Sequence, residues 1–281
     1  MRGYRKGAVL SLATFVLFST GGCEAGWPTA DPPRPPAAPS VTPPLAAAAV
    51  PRQPWTAPER PAVRPLEKAG PVLVDLPGEW VSWALLDRTT GELRTGGDGG
   101  TNSAESMVKA WIAADYLRGL GSRAPSAGEV GLLRRMIRDS DDDAAEILYQ
   151  RRGSDAVIRR MIATCGLTDT RIHSEWWSLT EISARDAARV GACVADGGPA
   201  VPWTGWLLDE MRQVRGEGRF GIIEVQPVPV KNGWTAWGGS WRVNCLGVAD
   251  GWTLAVLTRY PTGMGLAHGA ARCREVASSL P

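Results

Sequence analysis

Apolar and polar positions follow three different patterns in turn along the chain. An apolar run at residues 8–18 follows Arg2, Arg5 and Lys6 and ends in the small residues 19–22, directly before Cys23. Residues 24–65 are dominated by Pro and Ala with almost no large aliphatic side chains. Such a stretch cannot bury a core, and it is expected as an extended, partly polyproline tether. Beyond it the periodicities of folded structure begin. Residues 80–87 are rich in strand formers and lead into a turn at 88–91, so the domain is expected to open with a hairpin. Residues 104–120, 129–138 and 143–149 carry apolar side chains at helical spacing. Another helix is expected from Ser154 to Gly166, and Ser183 with Asp186 three positions on has the form of a capping box for one running towards Asp196. Residues 167–182 form a loop between these two helices. Strands return at 225–234, 241–249 and 252–260, with Asp250 and Gly251 as a tight turn, and residues 266–280 close the chain as a helix. Strand pair, helices, three strands and a helix imply an α+β domain with an antiparallel sheet and helices packed on it.

The charged start, apolar run and small residues form a secretory signal, residues 1–22. Small residues directly before a cysteine resemble a lipoprotein processing site, so Cys23 is the expected lipidation site, although Thr20 departs from the usual aliphatic residue. Ordinary cleavage nearby and an uncleaved anchor are the alternatives. Residues 23–68 are then a lipid-anchored linker and 69–281 one domain, which places the protein on the extracytoplasmic face of the cell membrane. Net charge is +2, and paired arginines such as Arg134 and Arg135 sit at helical spacing beside acids. They read as solvated helix faces, without a nucleic-acid partner. Four further cysteines, an even number in an exported chain, favour two disulfides. Three connectivities are open, and we expect Cys165 with Cys193 and Cys245 with Cys273, each joining neighbouring elements. His173 and His268 have no evident partners and are read as structural. No metal, cofactor or histidine-based triad is expected.

Chemistry is concentrated in three short motifs. Ser106 and Lys109 stand three apart near a helix start, so hydroxyl and amine share a face, and a lysine whose pKa is lowered by burial can accept the serine proton. A capping serine with a surface lysine is the bland alternative. Downstream come Ser140, Asp141 and Asp142, and then Lys231, Asn232 and Gly233, expected at the end of a strand.

In this order the motifs resemble Ser-x-x-Lys, Ser-Asp-Asn and Lys-Thr-Gly of the serine β-lactamases and penicillin-binding proteins. The likeness extends over residues 69–281 and includes the stretch 137–148, the helix start at Ser183, and the final two strands and helix. It implies Ser106 as acylated nucleophile, Lys109 as its base, Ser140 as proton relay and Lys231 as holder of a substrate carboxylate. The oxyanion site would use the backbone N–H groups of Ser106 and Trp234. Asp142, Asn232, Gly233 and Trp234 would line the substrate site. Two motifs depart from the family. Asp142 replaces an amide donor and could pair with Lys109, keeping that amine charged, while Asn232 replaces a hydroxyl but retains a donor. The loop position of the family's deacylating glutamate aligns with Trp176, and Glu175 and Glu181 are the possible substitutes, though both read more simply as surface or capping acids. Trp176, Trp177, Trp234, Trp237 and Trp241 either stack on a ring-shaped ligand or pack the sheet edge. Two functions are therefore expected to compete. One is a monomeric, membrane-anchored serine hydrolase or acyltransferase acting on a peptidoglycan fragment or a β-lactam, with slow release of any lactam adduct. The other is a catalytically degraded module that binds or scaffolds cell-wall fragments.

Overall fold

Strands covered on both faces lose the simple alternation of polar and apolar residues, and the central strands here show it. A computed structural model describes residues 77–196 and 202–280. The signal, Cys23 and the linker lie outside the described residues. Strands β1 (Trp80–Asp87) and β2 (Leu93–Gly97) form the expected hairpin. The short β3 (Asn102–Ser103) pairs with β4 (Glu181–Ile182) in a separate two-stranded ribbon. β5 (Val230–Trp237), β6 (Ser240–Val248) and β7 (Trp252–Pro261) complete the main sheet, which is antiparallel in the order β2-β1-β7-β6-β5. Successive side chains of a strand point to opposite faces. Val81, Trp83 and Leu85 of β1 accordingly join Leu254 and Val256 of β7 on one face, while Ala84, Ala255 and Leu257 enter the other.

The second face is covered by α1 (Lys109–Leu120), α2 (Ala127–Arg138), α3 (Asp142–Arg151), α4 (Asp155–Cys165), α5 (Ala184–Asp196) and α6 (Thr204–Arg212). The first face packs on α7 (Gly265–Ser278). Local signals set several ends. Ser126 and Glu129 form a reciprocal capping box on α2, Asp141 caps α3 by accepting from Ala144 N–H at 2.8 Å, and Ser183 Oγ accepts from Asp186 N–H at 3.2 Å. Gly166 ends α4 in the left-handed conformation that a side chain would disfavour. Among the described residues no helix is long and apolar enough to cross a membrane.

Three expectations need correction. The helix expected from 104 opens as a 3-10 turn, Glu105–Val108, before α1 begins at Lys109. Strand β5 starts at Val230 and not at 225, because Pro227 and Pro229 cannot donate to a ladder. Lys231, Asn232 and Gly233 therefore open their strand instead of closing it. Helix α6 was not anticipated, since Gly205 weakens its pattern, yet Leu207, Glu210 and Met211 bury one face at helical spacing.

Both disulfides form as expected. Cys165 on α4 joins Cys193 on α5 with Cα atoms 5.6 Å apart, and Cys245 on β6 joins Cys273 on α7 at 6.2 Å. Each spans 28 residues. Closing a loop of that size restricts the unfolded chain by about 3–4 kcal/mol. We expect the Cys165→Ala, Cys193→Ala double variant to melt roughly 10 °C lower in thermal unfolding. An unchanged melting temperature would show that the bridge adds nothing to α4 and α5.

Candidate active site

The site begins with a backbone held in an unfavourable conformation. Glu105, the residue before Ser106, has φ +52°, in the left-handed region that a residue with a side chain rarely adopts. Its surroundings hold it there. Ser103 O–H donates to Glu105 Oε1 at 2.5 Å, and Asn244 Nδ2 donates to Ser103 O at 2.7 Å. Asn102 Nδ2 donates to Asn244 Oδ1 and to Thr258 O, so the turn is pinned to the main sheet. Burial raises the pKa of the Glu105 carboxyl, opposed by its hydrogen bond from Ser103. Ser106 itself is half-buried, and its hydroxyl has no hydrogen-bond partner among the described residues. It faces a cleft.

One turn further on, Lys109 is fully buried. Its Nζ donates to Ser140 O at 2.5 Å and to Asp142 Oδ1 at 2.5 Å, lies 3.5 Å from Ser140 Oγ, and stands 5.0 Å from the centre of the Trp177 ring. Ser140 occupies a second left-handed position, φ +57°, between α2 and α3. Its hydroxyl accepts from Lys231 Nζ at 2.8 Å, and Lys231 also donates to Asn232 O at 3.0 Å. Two buried ammonium groups thus converge on one hydroxyl. Burial, the largest effect, lowers the pKa of Lys109 despite the opposing pull of Asp142. Lys231 is pushed well below the ordinary 10.5, first by burial and then by the charge of Lys109. The expected pairing of Asp142 with Lys109 is present, and its attraction opposes the effect of burial. Asp142 is largely exposed, with 78% of its side chain accessible, so water screens much of its attraction.

Asn232 does not act as the expected donor to substrate. It is fully buried, and its Nδ2 donates to Gly218 O at 3.0 Å and Phe220 O at 2.8 Å, which ties β5 to the loop before it. Gly233 has a different role. A Cβ built there would lie 2.7 Å from the backbone nitrogens of both Ser106 and Met107, so only glycine lets β5 approach the nucleophile turn this closely. Trp234 follows and packs edge-on against Phe220, with ring centres 5.7 Å apart.

These elements border a cleft of about 460 Å³, lined by Ser106, Asp142 and Trp234 on one side and by Glu175, Trp176 and Trp177 of the loop on the other. Glu175 and Trp176 both reach it. Glu181 does not, and borders a separate hollow beside Arg171. Trp237 and Trp241 are also absent from the cleft. Trp237 is exposed beneath the Arg242 guanidinium, and Trp241 Nε1 donates to Thr262 O. His268, expected without a carboxylate partner, binds Glu79 Oε1 at 2.8 Å and joins the domain's start to α7. Three acids escaped the sequence reading: Glu105, Asp143 and Glu146. Glu146 was the most accessible of them, because it lies four residues after Asp142 and shares its helical face. Its Oε2 accepts from Trp177 Nε1 at 3.0 Å. No group of side chains that could hold a metal ion occurs among the described residues.

No family model matches the chain. It is 32% identical over 192 residues to LppW of Mycobacterium tuberculosis, which is described as a candidate lipoprotein, and the match covers 61% of this chain. The chain spans 59% of the length of that relative. Solved structures with the same fold include a class A β-lactamase from Bacteroides cellulosilyticus, with TM-score 0.58, 15% identity, and coverage of 72% of this chain and 90% of that one. A β-lactamase from Chitinophaga pinensis has TM-score 0.57 and 16% identity over 70% of this chain and 91% of its own.

Proposed function

For this chain, whose fold is that of the class A β-lactamases, we propose a serine acyl-transfer activity at the cell envelope, carried by Ser106 on a peptidoglycan-related or lactam amide. One observation supports it above the others. Lys109 and Lys231, both buried and both held below their ordinary pKa, meet at Ser140 within one helical turn of an unpartnered serine hydroxyl. Burying two amines against one another is costly for folding, and such groups concentrate where proton transfer is needed. The left-handed backbones at Glu105 and Ser140 cost about 1–3 kcal/mol each and likewise mark positions held for function.

The steps follow from these groups. Ser106 Oγ attacks the amide carbonyl carbon while its proton passes to neutral Lys109. The carbon–nitrogen bond then breaks as Ser140 O–H, backed by Lys231, protonates the departing amine, and the proton taken up by Lys109, 3.5 Å away, passes to Ser140 Oγ to restore its hydroxyl. An ester on Ser106 remains, and water or a second nucleophile removes the acyl group. Oxyanion stabilisation is assigned to the N–H groups of Ser106 and Trp234. Lipidation at Cys23 would hold this chemistry at the extracytoplasmic membrane surface. The test is intact-mass analysis after incubation with activated esters and lactams: an acyl adduct on wild type and none on Ser106→Ala supports the reading, and labelling that survives Ser106→Ala refutes it.

The Lys109–Asp142 ion pair favours a second reading, a wall-fragment binding module without turnover. Asp142→Asn separates the two. Losing the carboxylate lowers the Lys109 pKa further, so more neutral amine is present at neutral pH. Acylation by an enzyme should rise at neutral pH, by less than the gain in neutral amine because the less basic lysine is a weaker proton acceptor. A binding module shows no acylation in either form.

A further inference from the structure

Two like charges stand side by side at one end of the main sheet. Arg242 on β6 lies directly opposite Arg259 on β7, in a row that continues to Thr235 on β5 and Trp80 on β1. Like charges placed opposite one another destabilise a sheet. Neither arginine makes an ion pair among the described residues. The acids nearby are otherwise engaged. Glu105 feels the charge of Arg242, but its carboxyl is buried and takes the Ser103 hydroxyl. Glu79 is buried with His268 and Arg272, and Asp98 accepts from Val81 N–H at 2.8 Å. Each guanidinium lies instead over an indole, Arg242 over Trp237 at 5.4 Å and Arg259 over Trp80 at 5.3 Å. Stacking of this kind leaves the N–H edge of a guanidinium free to meet an anion.

The apex beyond these arginines is apolar and preformed. Trp237 is 67% exposed, the most of any large apolar side chain among the described residues, and Met264 is 40% exposed. Trp237 stands at the β5–β6 turn and Met264 in the 3-10 turn Thr262–Met264 that follows β7. The two turns are tied together, because Thr262 N–H donates to Gly239 O and Trp241 Nε1 donates to Thr262 O, both at 3.1 Å. Gly238 and Gly239, at φ +60° and +78°, close the first turn tightly. The described chain also enters the domain here, with Gly78 beside Pro261. Residues 1–76, Cys23 among them, therefore join the domain at this apex.

We infer that this apex docks the domain on an anionic lipid surface. Trp237 and Met264 enter the headgroup region, and Arg242 and Arg259 meet lipid phosphates. Apolar insertion joined to basic attraction is what binding to a membrane surface requires. Charge favours lipid over a second copy of the chain, since a two-fold contact is self-complementary and would set these arginines against their own counterparts. The inference is independent of the chemistry at Ser106.

The chain from residue 24 onward, which keeps both cores and lacks the expected anchor, is sedimented with vesicles of phosphatidylcholine alone or mixed equally with phosphatidylglycerol. Binding to the anionic vesicles should be about tenfold tighter or more and should weaken in high salt. Arg242→Gln with Arg259→Gln should remove that preference, at about fivefold per arginine, and Trp237→Ser should weaken binding about tenfold. Ile147→Ser and Val225→Ser, at exposed apolar positions elsewhere, should leave it unchanged. In a second measurement the full chain is placed in vesicles with brominated acyl chains. Its tryptophan emission should be quenched, and less so in Trp237→Phe, which keeps an aromatic ring. Equal binding to both vesicles, binding unchanged by Trp237→Ser, or quenching unchanged by Trp237→Phe would overturn the inference. Dimerisation without lipid that Trp237→Ser abolishes would also overturn it, and would assign the apex to a second copy.

Discussion

Lys109→Met should lower the rate of Ser106 acylation by a factor of about 10²–10⁴, the range for removing a positioned general base. Stability should move the other way. Methionine matches the length of the buried stem and removes an ammonium that burial destabilises. The partner left behind, Asp142, is largely exposed and can be hydrated, so no buried charge is stranded. A melting temperature equal to or above wild type, with acylation nearly abolished, separates a chemical role from a structural one. Lys109→Arg should not rescue the rate, because guanidinium does not release its proton at working pH. If Lys109→Met acylates as fast as wild type, the base is another group, and Lys231 through Ser140 becomes the candidate.

Gly233→Ala should impair the site by geometry alone. The added Cβ would meet the backbone nitrogens of Ser106 and Met107 at 2.7 Å, and backbone cannot swing aside as a flexible side chain can. Overpacking of this kind costs about 1–3 kcal/mol. Any relief moves the Ser106 N–H or the start of β5, so an oxyanion donor is displaced, and the acylation rate should fall by about 10²–10³. Stopped-flow acylation together with thermal melts gives both numbers. A lower melting temperature with an unchanged rate would show that the close approach serves packing only.

What the sequence made legible was local. The capping serine at Ser183 and the Gly166 stop are short-range signals, and they bound α5 and α4. The cysteine pairing was accessible because each bridge closes a short stretch of chain, 28 residues. The pairing of Lys109 with Asp142 was legible from residue types and motif order. Non-local facts were not. Whether Asn232 faces substrate or the 218–220 loop depends on which side of β5 that loop packs, and no periodicity encodes it. Trp237 and Trp241 lie on the same hairpin as Trp234 but beyond the cleft, a distinction of position along the strand rather than of residue type. The net pKa of Lys109 could not be read either, since it balances burial against a surface carboxylate, and both are tertiary quantities.

The pH profile of Ser106 acylation is the most direct test of an amine-activated serine. Neutral Lys109 is the base, so the rate should climb with pH and level off once the amine has lost its proton. Because the folded-state pKa lies below 10.5, the midpoint should fall below that value, and Asp142→Asn should move it lower still. With the adduct mapped to Ser106 by mass spectrometry, a midpoint displaced downward in wild type and further downward in Asp142→Asn is the expected result. A profile that rises with hydroxide without levelling, or a midpoint unmoved by Asp142→Asn, would contradict activation of Ser106 by Lys109.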